Sequence, residues 1–152
     1  MPSPTPLSTP PNVIAVIDDD DALRDSLVWL LESVGLTPRA FASGDAFFAA
    51  SHDDLGALLL DVRMPGMSGL QVQQRLIDQQ ARLPIIMMTG HGDVPMAVAA
   101  LKNGAFEFIE KPFNHQQLID VVQRALSSAE QQHQRQQSIA QLKACFETLR
   151  PK

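Results

Sequence analysis

The sequence predicts an α/β fold: a doubly wound, five-stranded parallel sheet with five helices, the fifth extended at the C-terminus. Three observations predict it. Short apolar segments alternate five times with segments of helical periodicity, which is the pattern of a doubly wound sheet. The apolar segments are continuous rather than alternating, as expected of strands covered on both faces. Their carboxyl ends carry polar residues: Asp18-Asp19, Asp61, Thr89 and Lys111.

Val13-Ile14-Ala15-Val16-Ile17 is the first strand, a β-branched run ending in Asp18. Leu23, Leu27, Leu30, Leu31 and Val34 then fall on one helical face, and Gly35 supplies the stop. Thr37 to Phe41 is a weaker second strand, and Ala46 to Ala50 a short second helix. Leu58-Leu59-Leu60 is the third strand, ending in Asp61. The third helix is expected from about Ser68 to Gln80, with Ser68 and Gln71 spaced as a capping box. Pro84 to Met88 is the fourth strand, ending in Thr89. The fourth helix, Asp93 to Lys102, has an acidic cap and tolerates Pro95 in its first turn. Phe106 to Ile109 forms the fifth strand and leads into Glu110-Lys111-Pro112. Asn114 can cap the fifth helix, which buries Leu118, Val121, Val122, Ala125 and Leu126.

These elements fill a domain over 13–127. Before it, residues 1–12 carry five prolines and read as a disordered tail. After it, residues 128–152 read as a helical linker. No Gly or Pro interrupts 114–150, and Ser127 to Ser138 is Gln-rich and polar all round. Ile139, Leu142, Phe146 and Leu149 then resume an apolar stripe. A continuous helix there would be roughly 50 Å long at 1.5 Å per residue. A short coiled coil with a partner is one reading of the stripe, a frayed or folded-back linker the other.

Composition bounds the function. The chain has 152 residues, 45% hydrophobic and 19% charged, enough for a real core. Its net charge of −5 argues against binding nucleic acid by itself, since phosphate neutralisation needs a Lys/Arg patch. A lone cysteine, Cys145, excludes an intramolecular disulfide and a Cys-built zinc site. No apolar run approaches the roughly 18 residues of a membrane span. No signal peptide is recognisable, so the chain is expected in the cytoplasm.

The strand ends carry the chemistry. In an open parallel sheet, ligands bind beyond the carboxyl ends of the strands. Four strands bring Asp18-Asp19, Asp61, Thr89 and Lys111 to that edge. Carboxylates held together repel unless they are protonated or joined by a cation. An all-oxygen donor set points to a hard ion, with Mg²⁺ the usual choice. Asp61 can then attack phosphorus and form an aspartyl phosphate. Lys111 and the Thr89 hydroxyl would stabilise the transferring oxygens.

Together these segments resemble the receiver domain of a two-component response regulator, the CheY-like fold. The resemblance covers about residues 12–127. It rests on Val-Ile-Asp18-Asp19-Asp20, Leu-Leu-Asp61-Val-Arg-Met-Pro65-Gly, Met-Met-Thr89-Gly90-His and Phe108-Ile-Glu-Lys111-Pro112-Phe, in that order. It implies the strand order 2-1-3-4-5 and a set of roles. Asp61 would be the phosphoacceptor. Asp19 would ligate Mg²⁺ directly, Asp18 directly or through water, and the backbone carbonyl of Arg63 would be a further ligand. Thr89 would move toward the phosphoryl group, Lys111 would pair with it, and Phe108 would hold the aromatic switch position. Gly90 would keep the phosphoryl group accessible to water or a phosphatase. The Lys111–Pro112 bond is often cis in this family.

Thr89-Gly-His-Gly-Asp-Val-Pro-Met-Ala-Val98 and Phe-Ile-Glu-Lys-Pro-Phe113 further resemble the FixJ-like branch. That likeness implies a sensor histidine kinase as donor, homodimerisation on phosphorylation or through the C-terminal helix, and transcriptional control. DNA would be bound only through a helix-turn-helix domain absent from this chain. Leu149-Arg-Pro-Lys152 stands where that domain would begin, with Arg150 where Thr is usual, so a truncated chain is expected.

Two alternatives stand beside this reading: a stand-alone phosphorelay receiver, and a haloacid-dehalogenase-type phosphatase. The phosphatase would want an Asp two residues after its nucleophile, and position 63 is Arg. Other residues have plainer readings. His52, His91, His115 and His133 form no metal spacing and read as surface residues, with His91 nearest the active edge. Met87 and Met88 read as strand core, Trp29 as packing, and Arg24 as a solvated helix charge.

Overall fold

The computed structural model describes residues 12–50, 55–81, 83–90 and 92–128. Nine elements run in the order β1 (Val13–Ile17), α1 (Asp21–Ser33), β2 (Thr37–Phe41), α2 (Gly44–Ala49), β3 (Leu55–Asp61), α3 (Gly69–Asp78), β4 (Ile85–Thr89), α4 (Val94–Lys102) and β5 (Glu107–Glu110). A fifth helix, α5, occupies 115–128 within the described residues. The expected extension of that helix, the linker 128–152 beyond its first residue, the Pro-rich tail before Asn12, and His52, His91, His133 and Cys145 lie outside the described residues.

The strands form one sheet in the order β2-β1-β3-β4-β5, every neighbouring pair parallel. The side chains of β1, β3 and β4 are almost wholly buried because both sheet faces are covered. Alternate residues feed two cores. Ile14, Val16, Leu59, Ile86 and Met88 pack with α1 and α5. Ala15, Ile17, Leu58, Leu60 and Met87 pack with α2, α3 and α4. Strand β2 sits at the edge and is mostly exposed, which is why its apolar signal is weak.

Helix boundaries follow local chemistry. Asp20, Ser43 and Ser68 each cap a helix by accepting from the backbone N–H three residues on, and Ser68 with Gln71 completes the expected capping box. Gly35 ends α1 at φ +86, a conformation costly for other residues. Its N–H donates to the Glu32 carbonyl and that of Leu36 to the Leu31 carbonyl, the paired bonds of a Schellman stop. Helix α3 ends at Asp78 rather than near Gln80. There the same paired bonds place Gln80 at φ +60.

Two expected packing roles are corrected. Val34 lies past the end of α1 and is 41% exposed. Trp29 is 67% exposed and does not pack in the core. Leu27, Leu30 and Leu31 define the buried face of α1, and a residue two positions from Leu27 points about 200° away from it. Helical position outweighs the apolar character of the indole.

Candidate functional site

Sheet register assembles the site. Ile17 pairs with Leu60, so Asp18 and Asp61 leave neighbouring strands side by side. Asp61 pairs with Met88, and Thr89 with Glu110, so Thr89 and Lys111 follow one step further along the same edge. The Lys111 N–H donates to the Thr89 carbonyl at 2.7 Å, holding the end of β5 against β4. The Lys111–Pro112 bond is cis.

Oxygen atoms of Asp18, Asp19 and Asp61 all lie within 4.8 Å of one another. Asp18 is fully buried, and both of its carboxylate oxygens are engaged. One accepts from the Asp20 N–H at 2.9 Å, the other from Lys111 Nζ at 2.9 Å. Asp19 is exposed. Asp61 is 7% exposed, with one oxygen 3.5 Å from Lys111 Nζ. Its other oxygen accepts a long, 3.4 Å hydrogen bond from the Arg63 N–H.

The charges do not balance. Burial, and then the charge of Asp18, push the Asp61 carboxyl up to about 6, against the opposing pull of Lys111 and the Arg63 N–H. Burial works against the charged form of Lys111, yet its hydrogen bond to Asp18 and the charges of Asp61 and Asp18 hold it above its ordinary value. One ammonium among three clustered carboxylates leaves net negative charge in a partly desolvated site. The donor set is oxygen only, so the site fits a hard divalent cation such as Mg²⁺.

Thr89 is fully buried, and its hydroxyl donates to the Gly90 carbonyl at 3.3 Å rather than to a carboxylate. Phe108 is partly buried and packs against the core on the α2–α3–α4 side. A Cβ at Gly90 would stand 3.4 Å from the Asp93 carboxylate, in ordinary van der Waals contact. Gly69, at the start of α3, lies so close to β3 that a Cβ would come within 2.5 Å of the Asp61 carbonyl oxygen.

Two side chains differ from expectation. Arg24 is not a solvated charge: only 16% of its side chain is exposed. It donates to the Asp18 carbonyl at 2.6 Å and pairs with Asp21, so it fastens the end of β1 to α1. Asp93 precedes α4 but makes no side-chain cap. Its carboxylate instead accepts from Arg63 Nε at 3.0 Å and Nη2 at 2.8 Å. The pair holds the Arg63 guanidinium firmly protonated, mainly through that hydrogen bond.

This edge also flanks a groove of about 430 Å³ between α1 and the β5–α5 turn, lined by Leu23, Leu27, Pro112 and Phe113, with Gly90 and Lys111 at one end. Among the described residues no helix is long and apolar enough to cross a membrane.

The family model described as the response regulator receiver domain matches residues 14–123. The chain is 44% identical to the response regulator protein TmoT of Ectopseudomonas mendocina, over 91% of this chain and 63% of that one. It is 50% identical to the transcriptional regulatory protein FixJ of Azorhizobium caulinodans, over 80% of this chain and 58% of that one. The chain thus spans about three fifths of the length of these relatives. Among solved structures, the crystal structure of FixJ-N superposes with a TM-score of 0.71 at 39% identity, covering 76% of this chain and 93% of that one. The response regulator StyR gives a TM-score of 0.80 at 37% identity, covering 91% and 70%.

A five-stranded 2-1-3-4-5 sheet with an acidic cluster and a lysine on its carboxyl edge defines a receiver fold, and the chain belongs to the response regulator receiver domain family. It is therefore a signalling domain of two-component systems rather than a metabolic enzyme, and its relatives include transcriptional regulators.

Proposed function

We propose that this chain accepts a phosphoryl group from a sensor histidine kinase onto Asp61 and switches conformation in response. The observation that carries the reading is the position of Asp61: nearly buried, 3.5 Å from the Lys111 ammonium, and clustered with Asp18 and Asp19. An Asp61 oxygen forms a bond to phosphorus as the bond from phosphorus to the donor imidazole nitrogen breaks. The imidazole keeps the electron pair. Lys111 is placed to receive negative charge from the transferring oxygens, and the Arg63 N–H is aimed at the same carboxylate.

Asp19, Asp61 and the Arg63 carbonyl would hold Mg²⁺, with Asp18 assisting, because both Asp18 oxygens already have protein partners. When bound, the ion supplies neutralising charge to the phosphoryl oxygens. The Thr89 hydroxyl would turn from the Gly90 carbonyl toward the phosphoryl group, and Phe108 would turn inward behind it. The absence of a side chain at Gly90 would keep the acyl phosphate accessible to water, whose attack on phosphorus restores the carboxylate and releases phosphate.

The rearranged face of α4, β5 and α5 would favour homodimerisation. In a longer regulator carrying a DNA-binding domain, that would pair two such domains on DNA and control transcription. The domain is a two-state element biased by a covalent ligand.

Intact mass after acetyl phosphate and Mg²⁺, with light scattering on the same samples, tests this. A phosphate-sized gain, absent in Asp61→Asn, with a shift from monomer to dimer is expected. No gain in a protein shown to bind Mg²⁺ overturns the assignment of Asp61.

A further inference from the structure

We propose that the Arg63–Asp93 ion pair is a latch that holds the start of α4 in the resting state, and that a phosphoryl group on Asp61 opens it by drawing the Arg63 guanidinium away. The proposal rests on the phosphoacceptor reading of Asp61.

The start of α4 is the exception among the helix starts. Asp20, Ser43 and Ser68 precede α1, α2 and α3 with extended backbone, at ψ 108, 165 and 167, and each side chain accepts from the N–H three residues on. That is the usual geometry of a cap. Asp93 is as good a capping residue as any of these. Yet its backbone lies at φ −102, ψ 10, and its side chain caps nothing. The carboxylate is held by Arg63 instead, through both Nε and Nη2. The same guanidinium reaches the Met96 sulfur at 3.6 Å, in the first turn of α4.

Arg63 also sits on the phosphoacceptor, since its backbone N–H donates to Asp61. One residue thus joins Asp61 to α4, by its main chain on one side and its side chain on the other. The Arg63 side chain is 68% exposed, so it is free to swing. Asp93 is partly buried, at 16% exposure of its side chain, but the open guanidinium side leaves the pair screened by solvent, so it is a modest hold. A phosphoryl group offers the guanidinium a stronger charge and a matching fork of oxygens. Once released, the Asp93 carboxylate can take over the Met96 N–H, which in the resting state donates to the Asp93 backbone carbonyl at 3.0 Å, an exchange that requires the Asp93 backbone to move toward the extended region. The exchange of partners would therefore reset the first turn of α4, and Asp93 acts as a positioning residue rather than a catalytic one.

Nuclear magnetic resonance of the full chain tests the latch, with and without acetyl phosphate and Mg²⁺, and with intact mass taken on each sample. In the wild type, phosphorylation is expected to move the Arg63 Nε–H and Met96 amide signals together. Without phosphorylation, Arg63→Gln and Asp93→Asn should already carry the Met96 amide toward its phosphorylated position, because both break the ion pair and leave a side chain able to cap. The open population should rise about two- to fivefold in each, the range of an ion pair open to solvent on one side. Asp93→Ala breaks the pair but cannot cap, and should not reach that position. A phosphate-sized gain with the Arg63 Nε–H unmoved overturns the latch and leaves the phosphoacceptor intact. So does Arg63→Gln with Met96 at its wild-type position. Absence of any gain overturns the phosphoacceptor reading and the latch with it.

Discussion

Asp61 and Lys111 show opposite consequences of one arrangement. The Asp61 carboxyl is raised from 3.8 to about 6, first by burial and then by Asp18. Between those values the folded protein keeps a proton that the unfolded chain has lost. Stability must therefore fall as pH rises through that window, and the cost persists above it. Asp61→Asn removes the cost. In the presence of a chelator, the variant is expected to match the wild type near pH 4 and exceed it by about 1–2 kcal/mol at pH 7.5, after allowance for solvent screening. Denaturant titrations at the two pH values check this, and a constant difference between them would refute it. Mg²⁺ should raise the melting temperature of the wild type more than that of Asp61→Asn. Lys111 works the other way, as the cation paired with the fully buried Asp18. Lys111→Met leaves that carboxylate without its partner and should cost about 2–3 kcal/mol at pH 7.5, less than a fully buried pair because the ammonium is partly exposed. A variant as stable as the wild type would show that the pair is neutral to folding. Asp18, Asp61 and Thr89 were legible in the sequence because each ends an apolar run, and Lys111 because it follows one with a single residue between. The partners of Arg24 and Asp93 were not, since nothing in local spacing tells that Arg24 reaches a backbone carbonyl or that Asp93 turns to a residue thirty positions away.

Elements were legible where the local code is short-ranged and less so where it is not. The Ser68–Gln71 capping box and the Gly35 stop were readable because each acts within a few residues. The end of α3 was misplaced by two residues because the stop falls on Gln80, a residue that gives no turn signal. At φ +60 its side chain is strained and gains nothing from burial, being exposed. Gln80→Gly should stabilise the domain by about 0.5–1 kcal/mol, read as a raised denaturation midpoint at unchanged slope. A neutral or destabilised variant would mean that the flexibility added to the unfolded chain outweighs the relieved strain. Gly69 is the converse case, chosen for space. A Cβ there would stand 2.5 Å from the Asp61 carbonyl oxygen and 2.8 Å from the Val62 Cα, both backbone atoms that cannot step aside. Gly69→Ala should cost about 1–3 kcal/mol, as overpacking does. It should also slow labelling by acetyl phosphate, because the strand end that carries Asp61 must shift. Full labelling at the wild-type rate would show that α3 yields instead.

At the scale of the whole molecule, the sheet divides two cores of unequal hold. The parallel sheet was readable from its continuous apolar strands, whereas the strength with which each helix is held depends on which side chains it buries. On one face, α1 buries Leu27, Leu30 and Leu31, and α5 contributes Leu118, Ile119, Val121, Val122 and Ala125. On the other, α3 fully buries Val72 and Leu76, but α4 fully buries only Ala97 and Ala100, with Met96 and Leu101 partly buried beside them. An alanine brings a single methyl group to the core, while a buried leucine contributes about 1.5–3 kcal/mol. Helix α4 is therefore the least firmly held of the longer helices, although its sequence is the most apolar of them and would suggest the opposite. Its hold is supplemented by polar contacts at its two ends: the Asp93–Arg63 pair, and the Gln73 side chain, whose amide nitrogen donates to the Ala100 carbonyl at 2.9 Å. Polar contacts can change partners without the cost of opening a packed core, which would suit an element that moves in the proposed switch. Elements that move in switching are drawn from the low-stability end of a structure. Native-state hydrogen exchange should therefore find the amides of α4 opening at least about a hundredfold more often than those of α1, β1 and β3, given an energy gap of several kcal/mol. Phosphorylation should alter exchange in α4 and leave α1 unchanged. If α1 and α4 instead exchange at the same rate, the two cores open as one unit. The response to Asp61 would then have to pass through the whole domain rather than through its most weakly packed helix.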